Sequence, residues 1–220
     1  MALKQQQVVF SSGSGTGIPY TTPPTSHSIG FLQLGWVTTA GTPTVASDRA
    51  GETWTLVGSI QDGTGTWRFG AYRCLNMAGG ATTITPTLSG ATFSGILSEF
   101  DGPGFDLGAA GFSSAAGTSS GACRNTYPSG VMTAHFSTPG DSVNTSNGSP
   151  GTWTDDADYN VSPGGQGLAH LIAGPNSYSG TGTYGGGSGC AIIIATGLTA
   201  PTGDTPSVKV PPQQRFSCLI

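Results

Sequence analysis

Charge is what this chain has least of. Only 8% of its 220 residues are Asp, Glu, Lys or Arg, against roughly 25% in an ordinary soluble domain. A salt-bridged helical surface is thereby excluded. Lys and Arg total seven and are scattered, and the formal net charge is −4. The basic patch that a nucleic-acid partner requires is missing. No apolar run approaches the ~18 residues of a membrane span, and the stretch from Met1 to Phe10 has no signal-peptide core, so we expect synthesis in the cytoplasm and no membrane partner. Cysteine is sparse: Cys74, Cys123, Cys190 and Cys218 are too far apart for a zinc ribbon, and free thiols are expected. His27, His135 and His170 are equally dispersed, which argues for sheet-face histidines over a metal site. No cofactor is expected.

What the chain does have is glycine, proline and a period of two. The 37 Gly and 15 Pro residues supply frequent turns. From Ala81 to Leu88, Ile84, Pro86 and Leu88 share one face while Thr83, Thr85 and Thr87 share the other, as in a half-buried strand. Ser89-Gly90 then reads as a tight hairpin leading into a second strand, Ala91 to Phe100, which Asp101-Gly102-Pro103-Gly104 ends. The same alternation marks Ile29 to Val37, Glu52 to Ile60, Thr66 to Leu75, Gly130 to Ser137, Gln166 to Ala173, and a last pair, Tyr178 to Tyr184 and Cys190 to Thr196. Residues 191 to 195 are apolar on both faces and should be covered on both. Residues 105 to 124 and 138 to 150 show weak patterns and read as connections.

Eight to ten strands without a helix predict an all-β fold, a two-sheet antiparallel β-sandwich, jelly-roll-like or immunoglobulin-like, over residues 29–197. Residues 1–28 read as an extended N-terminal arm and 198–220 as an extended C-terminal tail, because both are too polar or too rich in proline for core strands.

The succession Gly51-Glu52-Thr53-Trp54-Thr55-Leu56-Val57-Gly58-Ser59, the aromatic strand through Tyr72, Thr82-Thr83-Ile84-Thr85, and Ile96-Leu97-Ser98-Glu99-Phe100-Asp101-Gly102 resembles a broad group of β-sandwich proteins of tailed phages and prophages. Gly151-Thr152-Trp153 and the strand Ala191 to Ala195 match a later tryptophan turn and a closing apolar strand in that group. The resemblance spans about residues 29–196 and implies a virion surface component. It brings no catalytic residues. The function it implies is a structural protein of a bacteriophage virion, a head decoration or minor capsid protein, made in the host cytoplasm and partnered by copies of itself and other virion proteins. The alternative is a carbohydrate-binding tail or fibre adhesin recognising a host surface glycan.

Several formal motifs have a plainer reading. Gly117-Thr118-Ser119-Ser120-Gly121 fits the nucleophile elbow but lacks the helix that motif needs. Gly180-Thr181-Gly182-Thr183-Tyr184-Gly185 fits a dinucleotide fingerprint without the βαβ unit. Asp155, Asp156 and Asp158 have the chemistry of a calcium loop without its glycine and distal glutamate, and Glu99 with Asp101 forms a carboxylate pair lacking a recognisable sugar cleft. No enzyme is expected. A contact surface, if there is one, is expected at Trp153, Tyr159, Tyr178, Tyr184 and Tyr20, whose amphipathic rings lie near loops.

Overall fold

A computed structural model describes residues 4–37, 41–104, 112–140, 142–160, 163–185 and 189–198. The described residues contain no helix. The first half holds β1 (Lys4–Gly13), β2 (Ile18–Pro19), β3 (Ile29–Trp36), β4 (Thr44–Ser47), β5 (Thr55–Gln61), β6 (Arg68–Cys74), β7 (Thr83–Thr87) and β8 (Thr92–Phe100). The second holds β9 (Phe112–Ala116), β10 (Ser119–Asn125), β11 (Gly130–Pro139), β12 (Val143–Ser149), β13 (Thr154–Tyr159), β14 (Gly164–Ala173), β15 (Asn176–Tyr184) and β16 (Cys190–Gly197).

The all-β antiparallel sandwich expected from the sequence is present, and the chain builds it twice. In the first half a five-stranded sheet runs β1-β8-β3-β6-β5 and a three-stranded sheet runs β2-β7-β4. In the second half the orders are β9-β16-β11-β14-β13 and β10-β15-β12. Adding eight to every strand number of the first half gives the second. Both orders are those of a jelly roll, with the fifth strand moved from beside the fourth to the edge beside the sixth.

The equivalence extends to single residues. Val57 is the extra residue where β5 loses register with β6, and Asp156 is the extra residue where β13 loses register with β14. Counting from these bulges, Leu56, Tyr72 and Leu32 correspond to Asp155, Ala169 and Ala134. Trp54 then corresponds to Trp153, each in the middle of a Thr-Trp-Thr triplet leading into the fifth strand.

The two five-stranded sheets lie face to face. Ile29, Phe31, Phe69, Ala71 and Phe100 from one meet Val131, Cys190, Ile192 and Ile194 from the other. On its far side the first sheet packs through Leu32, Leu34, Trp36, Tyr72 and Phe93 against Ile18 and Ile84 of its small sheet. The second packs through Met132, Ala134, Phe136 and Ile193 against Cys123, Val143 and Tyr178. Four layers result. The inner two are covered on both faces, and for that reason β16 carries no polar alternation and is buried throughout.

Several features differ from the sequence reading. Residues 105–124 and 138–150, read as connections, contain β9, β10 and β12, so the described residues hold sixteen strands where eight to ten were expected, in two sandwiches where one was expected over residues 29–197; the small, weakly alternating side chains of these strands hid them. β7 and β8 do not form a hairpin: β7 pairs with β2 and β4, β8 with β1 and β3. The Ser89-Gly90 turn instead carries the chain from one layer to the next, closed by Ala91 N donating to Leu88 O at 3.0 Å. Likewise β15 and β16 belong to different sheets. The bulge at Val57 also reverses the facing of β5 beyond it, so that Leu56 enters the first core while Ile60 enters the interlayer; a bulge does this because sides alternate residue by residue. The N-terminal segment is extended as expected, but residues 4–13 are the edge strand of the first sheet with Phe10 in its core. The tail from residue 199 onward lies outside the described residues.

Candidate functional site

The interlayer encloses a connected set of polar side chains. Gln33 and His135 occupy equivalent positions on β3 and β11 and bond to each other, His135 Nδ1 to Gln33 Oε1, at 2.8 Å. Contact between equivalent positions is what an approximate local twofold between the halves produces. Gln33 Nε2 donates to Gln166 Oε1 at 2.9 Å, and Gln166 Nε2 donates to Ser94 Oγ at 2.9 Å and Ser137 Oγ at 2.8 Å. Trp67 Nε1 also donates to Ser137 Oγ, at 2.9 Å. With the Gln33 amide so oriented, His135 carries its proton on Nδ1 and accepts from Thr133 Oγ1 at Nε2, 2.9 Å away. Complete burial without a bonded carboxylate pushes the imidazole down to about 3, so it is neutral. Satisfied groups of this kind align two sheets, because any other register would strand them in an apolar layer.

Glu99 is buried on β8. Its carboxylate accepts from Gln6 Nε2 at 2.5 Å and from Thr25 N at 2.7 Å. Gln6 also bonds the Thr22 backbone at both ends of its amide, Nε2 to Thr22 O at 2.7 Å and Thr22 N to Oε1 at 3.1 Å. Glu99 therefore fastens β1 and residues 22–25 across the end of the first sheet. Asp101 is exposed nearby, and Glu99, already committed to the chain's own amides, is not poised as half of a glycosidase pair.

The three aspartates of β13 are separated by the bulge. Asp156 is turned to His170, whose Nδ1 lies 2.7 Å from Oδ2, and that imidazole meets the edge of Phe100 at a centroid distance of 5.2 Å. Asp158 accepts from Ser146 Oγ at 2.7 Å. Burial and then the neighbouring Asp155 carboxyl push Asp158 up to about 6, against the hydrogen bond from Ser146. Among the described residues no group of three or more His, Cys, Asp or Glu is arranged to hold a metal.

The expected aromatic contact surface is not assembled. Trp153 and Tyr178 are 8% and 6% exposed and pack edge to face at 6.5 Å in the second core. Tyr20 lies in the first core at 8% exposure. Tyr184 packs against the second core, with its hydroxyl donating to Gly117 O at 3.1 Å and Cys190 O at 3.0 Å. Tyr159, at the end of β13, is half-buried. Rings of this size close the ends of thin sandwiches, and loop position in the sequence does not reveal that.

The formal motifs also resolve into packing. Ser120 is buried on β10, accepts from Gly180 N at 2.8 Å and donates to Gly121 O at 2.9 Å. Gly180 and Gly182 leave room for Phe136; a Cβ at Gly182 would meet that ring at 2.6 Å. Cys74, Cys123 and Cys190 are free and buried, and burial pushes the thiols of Cys123 and Cys190 up to about 11 and about 12. His27 is exposed, at φ +65°, with Nδ1 2.8 Å from Asn76 Oδ1.

Two grooves, absent from the sequence reading, lie at equivalent places where the Thr-Trp-Thr segment crosses the end of the sixth strand. One, of about 310 Å³, is lined by Gly51, Thr53, Thr55, Arg73 and Asn76. The other, of about 340 Å³, is lined by Pro150, Gly151, Leu171, Ile172 and Tyr178. The first lining is mixed, since Cys74 and Leu75 also contribute to it, while the second is mainly apolar. Comparison with protein-family models, with curated proteins and with solved structures finds no match to this chain.

Proposed function

We propose that the chain is a structural protein of a bacteriophage virion, a head decoration or minor capsid protein. The duplicated jelly roll is the observation that carries this reading. Two sandwiches sealed face to face make a block that resists shear, since sliding either inner sheet would break the Gln33–His135 and Gln166–Ser94 bonds together. The outer face of the second small sheet is exposed and uncharged along Thr145, Asn147, Ser149, Thr181 and Thr183, with Arg124 on its β10 strand. Such a face packs against neighbours through hydrogen bonds with little charge to desolvate. Of the aromatics on which the adhesin reading relied, Trp153, Tyr178 and Tyr20 are buried in the two cores and Tyr184 packs against the second.

The test is gold-labelled antibody against the chain on intact particles from the lysate of the encoding bacterium, viewed by electron microscopy. Label distributed over the shell is the expected result. Label confined to tail or fibre tips, or found on no particle, overturns the proposal.

A further inference from the structure

The groove at the end of β14 suits an apolar occupant. β13 begins at Thr154, opposite His170, so Leu171, Ile172 and Ala173 run on past it. With Pro150, Gly151 and Tyr178 they line a hollow of about 340 Å³, and among the described residues no charged side chain lines it. The polar atoms at its rim are already engaged: Tyr178 Oη donates to Gly174 O at 2.9 Å, and Asn176 Oδ1 accepts from Ser177 N at 2.8 Å. An anion or a sugar would find little to bond there, whereas an apolar side chain would be covered by Leu171 and the Tyr178 ring.

Among the described residues one large apolar side chain stands exposed, Val37 at 58%. By alternation it follows Phe31, Gln33 and Gly35 on the face of β3 that meets the interlayer. Gly35 already lies beside Ser137 and Gln166, close to the last residue of β11 and the first of β14, so Val37 stands where the second sheet has run out. Gln166 is six residues along β14 from Ile172, roughly 20 Å at the rise of a strand. Val37 and the groove therefore lie at opposite ends of the block, and no chain can fill its own groove with its own Val37. The repeat does not duplicate this match. The position equivalent to Val37 in the second half is Pro139, and the groove equivalent to that of β14 is the mixed one beside Arg73 and Asn76. We infer that Val37 of one copy seats in the β14 groove of a second copy, so that copies join head to tail. The inference rests on the assembly reading above and deepens it by naming a contact between copies. A contact between unlike surfaces leaves one Val37 and one groove free on every pair, and it continues to a closed ring or an open file according to the angle between neighbours.

The test is the solution mass of the full chain by light scattering, from about 1 μM to 1 mM, at low and high salt. The mass is expected to rise with concentration above that of one chain and to change little with salt, since the contact is apolar. Val37→Asp, at an exposed position, should keep the parent's circular dichroism spectrum and weaken association roughly tenfold or more. Disulfide trapping with oxidised glutathione reads the geometry directly. In a Cys218→Ser background, Val37→Cys and Ala173→Cys should each stay a single chain when oxidised alone and should give a covalent dimer when mixed. One mass across the whole range, association indifferent to Val37→Asp, or Val37→Cys trapping itself as readily as it traps Ala173→Cys overturns the inference. So does capture of Cys218 by Ala173→Cys within one chain when Cys218 is retained, which would make the chain's own tail the occupant. No particles enter these measurements, so their failure leaves the shell proposal standing, and absence of shell label leaves the head-to-tail contact standing.

Discussion

A neutral imidazole sealed between two sheets must take up a proton when the chain unfolds in mild acid. The folded-state value of His135 lies far below that of a free histidine, so its contribution is fully present above about pH 6.5 and is lost as pH falls toward 3, at up to ~1.4 kcal/mol per pH unit. Urea unfolding at a series of pH values should show this slope, and His135→Gln, which can still donate to Gln33, should flatten it. Asp158 acts in the opposite sense. Its folded value is raised to about 6, so its contribution is greatest below the unfolded value and is lost as pH rises through about 6. Asp155→Asn should raise the melting temperature at pH 7.5 and leave it nearly unchanged at pH 5; a fall at pH 7.5 would mean that Asp155 is held by contacts stronger than this repulsion.

Among the elements, β1 is the one whose removal tests the fold most directly. Read as an arm, it should be dispensable for folding. As an edge strand that fills the first core with Phe10 and is clamped by Glu99, it is not. Deleting residues 1–13 should leave a chain that binds hydrophobic dye and has lost its cooperative transition. Glu99→Ala should cost about 3 kcal/mol, since two amide donors lose a charged acceptor, and should speed amide exchange at Thr25. Trp153→Ala should cost about 3–5 kcal/mol as a core truncation. Unchanged stability there would mean that the ring is dispensable to the second core.

Legibility in the sequence followed the size of the inward side chains. β3, β6, β8, β11 and β16 announce themselves because large apolar residues point into a core. β10 and β12 do not: their buried positions include Ser120 and Ser146, small because Phe136 and Trp153 fill the space between the layers. Bulges such as that at Val57 leave no compositional mark. The duplication is hidden for a related reason, since equivalent positions such as Tyr72 and Ala169, or Gln33 and His135, keep the packing while exchanging the chemistry. The Thr-Trp-Thr triplets survive in both halves, and within the strands so do single pairs such as Gly70 with Gly167 and Ile96 with Ile192. The burial of Trp153, Tyr178 and Tyr20 could not be read from their neighbours along the chain, because layer crossings set it.

At the scale of the whole molecule, the interlayer makes the two sandwiches one cooperative unit. Calorimetry should give a single endotherm whose van't Hoff and calorimetric enthalpies agree, although each half has its own core. Gly35→Val is the sharpest probe: a Cβ at Gly35 would stand 2.5 Å from the Trp67 ring and 2.6 Å from Ser137 Oγ, wedging the inner sheets apart. That variant should split the endotherm or lower it as a whole, and an unaltered trace would mean the halves do not depend on this contact.

The near-twofold repeat is also unequal at its sheet ends. A perfect repeat would give β9 the length of β1, but the second half offers a five-residue strand where the first offers ten. β1 accordingly covers β8 from Thr92 to Phe100, whereas β9 covers β16 only from Cys190 to Ile194. The same duplicated sheet is thus hemmed along its full length in one half and along part of it in the other.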